Sequence, residues 1–142
     1  MVKQLYKLMK KYLGLDFGEK RIGVAISDGL GLTAQPKPFI YNNEATITSI
    51  KKIIEEENIC AIILGLPKDR EGKEGKKATE VRQFMKILES LNLPIILQDE
   101  RYSTVAVTKH LLTMDVKRKK RKQQVDSQAA AFILQGYLDK LN

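Results

Sequence analysis

Three short acidic segments carry the residue types best suited to chemistry: Leu13-Gly14-Leu15-Asp16-Phe17-Gly18, Gln98-Asp99-Glu100-Arg101 and Val125-Asp126-Ser127. Clustered carboxylate oxygens select hard cations, magnesium or manganese, over softer metals. Brought together by a fold, three such groups can hold two ions about 3.5–4 Å apart. That arrangement activates water, orients a phosphodiester for in-line attack and stabilises the leaving oxygen. It needs neither histidine nor cysteine, and the chain has one of each, His110 and Cys60. His110 reads as an ordinary helix residue, and Cys60, inside the apolar run Ile59 to Leu64, as a buried small hydrophobe.

Taken singly, each acid has a simpler explanation. Asp16 can be a turn residue before Gly18. Asp99 and Glu100 can answer the dipole of a following helix, worth roughly 0.3–1 kcal/mol, and Asp126 can do the same where the last helix begins. Only the joint pattern favours a shared site.

The elements that must position these residues follow from periodicity. Tyr12 to Phe17 and Arg21 to Ser27 read as strands joined at Gly18-Glu19-Lys20, the second alternating Ile22, Val24 and Ile26 with small residues. Leu32 to Tyr41 is extended, and Pro36 and Pro38 demote it to an edge strand. Asn43 to Glu57 is an amphipathic helix closed by Asn58. Cys60 to Leu64 is apolar enough for a strand covered on both faces. A polar loop through Gly72 and Gly75 leads to a helix over Lys76 to Leu91, and Pro94 to Gln98 is a short strand. Ser103 or Thr104 caps a helix running to Met114. Asp115 to Gln124 is a basic loop, and Val125 to Leu141 is the last helix. Three meandering strands followed by βαβ-type crossovers give a mixed sheet with helices on its faces. Strand ends are where such sheets bind ligands, and two of the acidic segments lie there.

The totals bound the class. A chain of 142 residues, 43% hydrophobic and 30% charged, suits one globular domain. No apolar run approaches the twenty or so residues that cross a bilayer, and the start lacks a signal-peptide pattern. With its lone cysteine, the chain suits a reducing cytoplasm. The net charge of +8 favours a polyanionic partner, although charge alone does not tell nucleic acid from an acidic membrane.

The residues also resemble a known family. Leu13-Gly14-Leu15-Asp16-Phe17-Gly18-Glu19-Lys20-Arg21-Ile22-Gly23-Val24-Ala25-Ile26-Ser27-Asp28 is similar to the opening of the YqgF family. These Holliday-junction-resolvase-like proteins are assigned to cleavage of pre-16S ribosomal RNA. Gly65-Leu66-Pro67 with Gly72, Asp99-Glu100-Arg101-Tyr102-Ser103-Thr104 and Val125-Asp126-Ser127-Gln128-Ala129-Ala130 match its other blocks in order. The resemblance spans about Met9 to the C-terminus and leaves residues 1–8 as an N-terminal extension to a single domain over 9–142. It implies an α/β, ribonuclease H-like fold, with a five-stranded mixed sheet flanked by helices on both faces. It further implies a magnesium or manganese site, suspected to hold two ions, built from Asp16, one acid of the Asp99–Glu100 pair, and Asp126. Glu100 is the choice from that pair; one step along a strand turns a side chain to the other face, so if Gln98 faces the site with Glu100, Asp99 points away. Asp99 stays open as a further ligand.

Lys117, Arg118, Lys119, Lys120, Arg121 and Lys122 are consecutive cations just before Asp126. A mobile basic loop beside a metal site engages a phosphate backbone without reading bases. Arg21 and Arg101, next to the acids, can contact phosphate or pair with a carboxylate. Lys68 and Arg70 are weaker candidates. With aromatics at 6%, no base-stacking platform is evident.

The expected function is therefore metal-dependent phosphodiester hydrolysis in structured RNA, in 5′-end maturation of pre-16S rRNA. Resolution of branched DNA is the alternative from the same chemistry, and it would favour a homodimer over a monomer because junction cutting is symmetric. A non-catalytic nucleic-acid-binding or transcription-associated module would need the basic loop but not all the acids. An ATPase of the actin and sugar-kinase kind would need a second domain, for which the chain has no room.

Overall fold

A computed structural model describes residues 9–100 and 118–142, with side chains from residue 127 onward in the second segment. The expected 1–8 extension, the helix capped by Ser103 or Thr104, and Arg101, His110 and Lys117 lie outside the described residues. The strands are β1 (Lys11–Asp16), β2 (Arg21–Ser27), β3 (Ala34–Tyr41), β4 (Ile59–Leu66) and β5 (Ile95–Asp99). The helices are α1 (Thr46–Glu57), α2 (Lys76–Leu88) and α3 (Arg118–Leu141), with a 3-10 turn at Glu89–Leu91.

The strands form one sheet in the order β3-β2-β1-β4-β5. β1 pairs antiparallel with β2 and parallel with β4, β2 pairs antiparallel with β3, and β4 pairs parallel with β5. The sheet is thus mixed. β3 takes the edge, where two prolines can be accommodated.

Strand alternation separates two cores. Leu13, Leu15, Ile22, Val24, Ile26, Ile62, Leu64 and Leu66 face one side and pack with Ile50 of α1 and Ala78, Val81, Phe84 and Leu88 of α2. Ala25 and Ile63 face the other side and pack with Ala130, Ile133, Leu134 and Leu138 of α3. β4 is buried on both faces, as its unbroken apolar run requires. Cys60 breaks that pattern: it is half-buried, not buried, and it falls at the register shift between the Lys11–Ile59 and Tyr12–Ala61 pairs.

Local signals end the helices. Asn58 closes α1 with a left-handed backbone (φ 54°), its N–H donating to the Ile54 carbonyl. Between β4 and α2, the Asp69 carboxylate accepts from the N–H groups of Glu71 (2.9 Å) and Lys73 (2.8 Å), so the turn is tied to itself.

One expectation needs correcting. The basic run is not a loop, and Asp126 does not open the last helix. α3 begins at Arg118, so Arg118 to Gln124 are helical and Asp126 is an interior position. Lys, Arg and Gln are good helix formers, and no Gly or Pro interrupts them. The packed apolar face of 130–138 sustains the helix, which then propagates backward at little cost per residue.

Candidate active site

Side-chain alternation decides which acids meet. Leu13 and Leu15 face the α1–α2 core, so Gly14 and Asp16 face α3. On β5, Leu97 packs toward the α1–α2 core while Gln98 lies against α3, its amide accepting from Lys140 Nζ at 3.1 Å. Asp99 therefore falls on the Leu97 side. Glu100 continues the ladder, donating its N–H to the Leu66 carbonyl at 3.3 Å, and shares the α3 side with Asp16. The Asp16 side chain is close enough to act directly on the Glu100 carboxyl.

Two glycines allow this closeness. A Cβ at Gly65 would lie 2.5 Å from Glu100 Oε2 and 2.6 Å from Ile133 Cδ1, so the Glu100 carboxyl rests on the bare backbone of β4. A Cβ at Gly14 would lie 2.8 Å from Leu134 Cβ and 3.1 Å from the Ala130 carbonyl oxygen, so α3 is seated directly on β1. Position 126 is one helical turn ahead of Ala130, toward the end of β1 that carries Asp16. The Asp126 side chain itself lies outside the described residues.

A cavity of about 450 Å³ opens where β1, β4 and β5 end. Asp16 and Glu100 line it, with Lys77 and Glu80 of α2, and Phe17 and Pro67 among the others. Asp99, Lys68 and Arg70 do not. Burial pushes the Glu100 carboxyl above the ordinary glutamate range, and neighbouring Asp99 adds to this; the Asp16 hydrogen bond and the Lys77 charge act in the opposite direction. The donor set fits a hard divalent cation: two carboxyl groups that act on each other face one space. Among the described residues, no cluster of three or more candidate ligands occurs.

Lys77 was not apparent from the sequence as a site residue. Its signal is weak, a lysine in the first turn of a helix where the dipole disfavours cations. Arg21 was anticipated beside the acids, and its guanidinium carbon lies 5.4 Å from the Phe39 ring centroid.

A five-stranded mixed sheet with carboxylates at its strand ends defines the ribonuclease H-like class, and solved structures agree. Thermus thermophilus RuvC in complex with a Holliday junction substrate superposes with a TM-score of 0.56 at 11% identity, covering 93% of this chain and 96% of that one. Fowlpox virus resolvase in complex with Holliday junction DNA gives 0.55 at 16% identity, covering 92% and 98%. At such identities the likeness concerns the fold. The RuvX family, described as Holliday junction resolvase, matches residues 10–140, and the chain belongs to it. This is the YqgF resemblance met in the sequence, and it places the chain among phosphodiester-hydrolysing endonucleases.

Named relatives are similar over nearly their full length. A Desulfitobacterium hafniense protein is 45% identical over 130 residues, 91% of this chain and 92% of its own. A Bacillus subtilis protein is 44% identical over 137 residues, 93% of this chain and 99% of its own. Both bear the name "Putative pre-16S rRNA nuclease". Nucleases of this family generally depend on divalent metal.

Proposed function

We propose that this chain is a magnesium- or manganese-dependent endonuclease that matures the 5′ end of pre-16S rRNA in the cytoplasm. Asp16, Glu100 and Asp126 hold the cations. The observation that carries the reading is the Asp16–Glu100 pair, two acids that act on each other in one cavity at the strand ends. The names of relatives that cover most of their own length support the substrate.

Bound cations supply water activation and stabilisation of the leaving oxygen. The chain's own residues do the rest. Gly65 lets the Glu100 carboxyl sit against β4, so its oxygens are fixed relative to Asp16. Lys77 places a positive charge across the cavity from the acids, suited to a phosphate oxygen and to holding Glu100 ionised. Arg118, Lys119, Lys120, Arg121 and Lys122 bring a row of cations along α3, and these contact phosphates without selecting sequence. Asp99 serves as a neighbouring charge and not as a ligand.

The test is cleavage of end-labelled pre-16S rRNA fragments with and without manganese. Asp16→Asn and Asp126→Asn are each expected to lose more than roughly a hundredfold in rate, beyond what loss of a supporting contact causes. Cleavage by both variants at the parental rate refutes the site. Holliday junction DNA is the second reading, favoured by the family's description. Paired symmetric cuts in a four-way junction by a dimer, with no cut in the RNA, would select it.

A further inference from the structure

The sheet face that carries Asp16 continues past it to a cluster of flat side chains. Asp16 pairs with Gly23 on β2. Next to Gly23, the β2–β3 ladder shifts register: Ile22 is opposite Ile40, but Val24 is opposite Lys37. One residue of β2 therefore faces two of β3, Pro38 and Phe39, a β-bulge of the kind that redirects edge side chains near active sites. Beyond the bulge Arg21 pairs with Tyr41. The Phe39 and Tyr41 rings meet edge to face, with centroids 5.3 Å apart and planes at 88°, and the Arg21 guanidinium lies over Phe39. Tyr41 is 65% exposed.

We propose that Tyr41, braced by Phe39 and Arg21, is a stacking surface for an unpaired nucleobase flanking the cut phosphate. The proposal rests on the nuclease reading above and adds to it the strandedness of the substrate. Position carries it first. Phe39 is two strands from Asp16, about 10 Å, and Tyr41 lies at the same end of the sheet, a few nucleotides' reach from the acids. Charge carries it second. α3 runs antiparallel to β3, with Ser127 at Lys37 and Gln135 at Ala34. Extended back at about 1.5 Å per residue, its first turns, which carry the sequence Arg118 to Lys122, come toward the level of Tyr41. An aromatic face takes a base of any identity, but only one released from a duplex stack.

The test uses fluorescence anisotropy with three labelled RNAs in EDTA, so that nothing is cut: a blunt duplex, the duplex with an unpaired tail, and the duplex with an abasic tail. The parent is expected to favour the base-bearing tail over the abasic one by roughly five- to 150-fold. Tyr41→Ala should lose that preference while binding the blunt duplex as the parent does, and Tyr41→Phe should keep it. Tyr41→Trp should keep it too, and because the chain has no tryptophan, its fluorescence should be quenched only by the base-bearing tail. A parent that binds the three RNAs equally refutes the stacking site and leaves the nuclease reading standing. A Tyr41→Ala variant that keeps the preference, or weakens equally on all three, also refutes it. A parent that binds none of them refutes the stacking site and, with it, RNA as the substrate in the proposed function.

Discussion

Glu100 is the residue where stability and chemistry oppose each other. Burial raises its folded pKa above the unfolded value, so the folded chain holds that proton more tightly. Its contribution to stability is largest below the unfolded value and falls as pH rises through the window up to the raised one. Glu100→Gln removes the cost of ionisation. In metal-free protein this variant should melt higher at neutral pH, on the order of a few degrees, with a flatter pH dependence across that window. It should not cleave. A lower melting temperature at neutral pH, measured by calorimetry with EDTA present, would count against this account. Gly65→Ala makes a complementary case. The nearest atoms to its added methyl are at the ends of the Glu100 and Ile133 side chains, which can shift. Stability should change little, while the displaced carboxyl costs about a hundredfold in cleavage rate. Matched melting and kinetic measurements separate the two effects. Asp16 and the Asp99–Glu100 pair stood out in the sequence as candidates, and the strand register then put Glu100, not Asp99, on the side of Asp16. Lys77 and Gly65 did not stand out, since each acts only through a neighbour distant in the chain.

At the scale of elements, strand boundaries followed the apolar pattern closely. β1 to β5 lie within two residues of their expected ends, because alternation and turn residues report burial directly. The basic run was misjudged for a reason of the same kind. A row of like charges carries no apolar periodicity, so its helicity was invisible until α3 was seen to pack through residues 130 to 138. This changes what the cations do: they are displayed along a helix. Replacing Lys119, Lys120 and Arg121 with Gln preserves helix-forming residues while removing charge. Nucleic-acid affinity should fall and the slope of log K against log salt should flatten by about 0.7–0.9 per lost phosphate contact. An unchanged slope over a salt titration, with unchanged circular dichroism, would show that these residues touch no phosphate. The pairing of the Phe39 and Tyr41 rings was invisible for a similar reason: 6% aromatics is a chain-wide figure, whereas their contact depends on where β3 sets them.

For the whole molecule, the net charge of +8 surrounds a half-buried pair of neighbouring acids. Binding of a divalent cation by the folded state alone must stabilise it, by about 2.7 kcal/mol at a hundredfold excess over Kd. Manganese should therefore raise the parent's melting temperature and leave that of Asp16→Asn nearly unchanged. An equal rise in both would place the bound metal elsewhere. The sequence by itself determined the strand pattern, the carboxylates and the family, because periodicity and ordered motifs are properties of residue type and spacing. The tertiary structure decided which acid of a neighbouring pair reaches Asp16, which lysine faces it, and that two rings on β3 share its face. Those relations depend on strand register and on α3 resting directly on glycines, contacts between residues far apart in the chain.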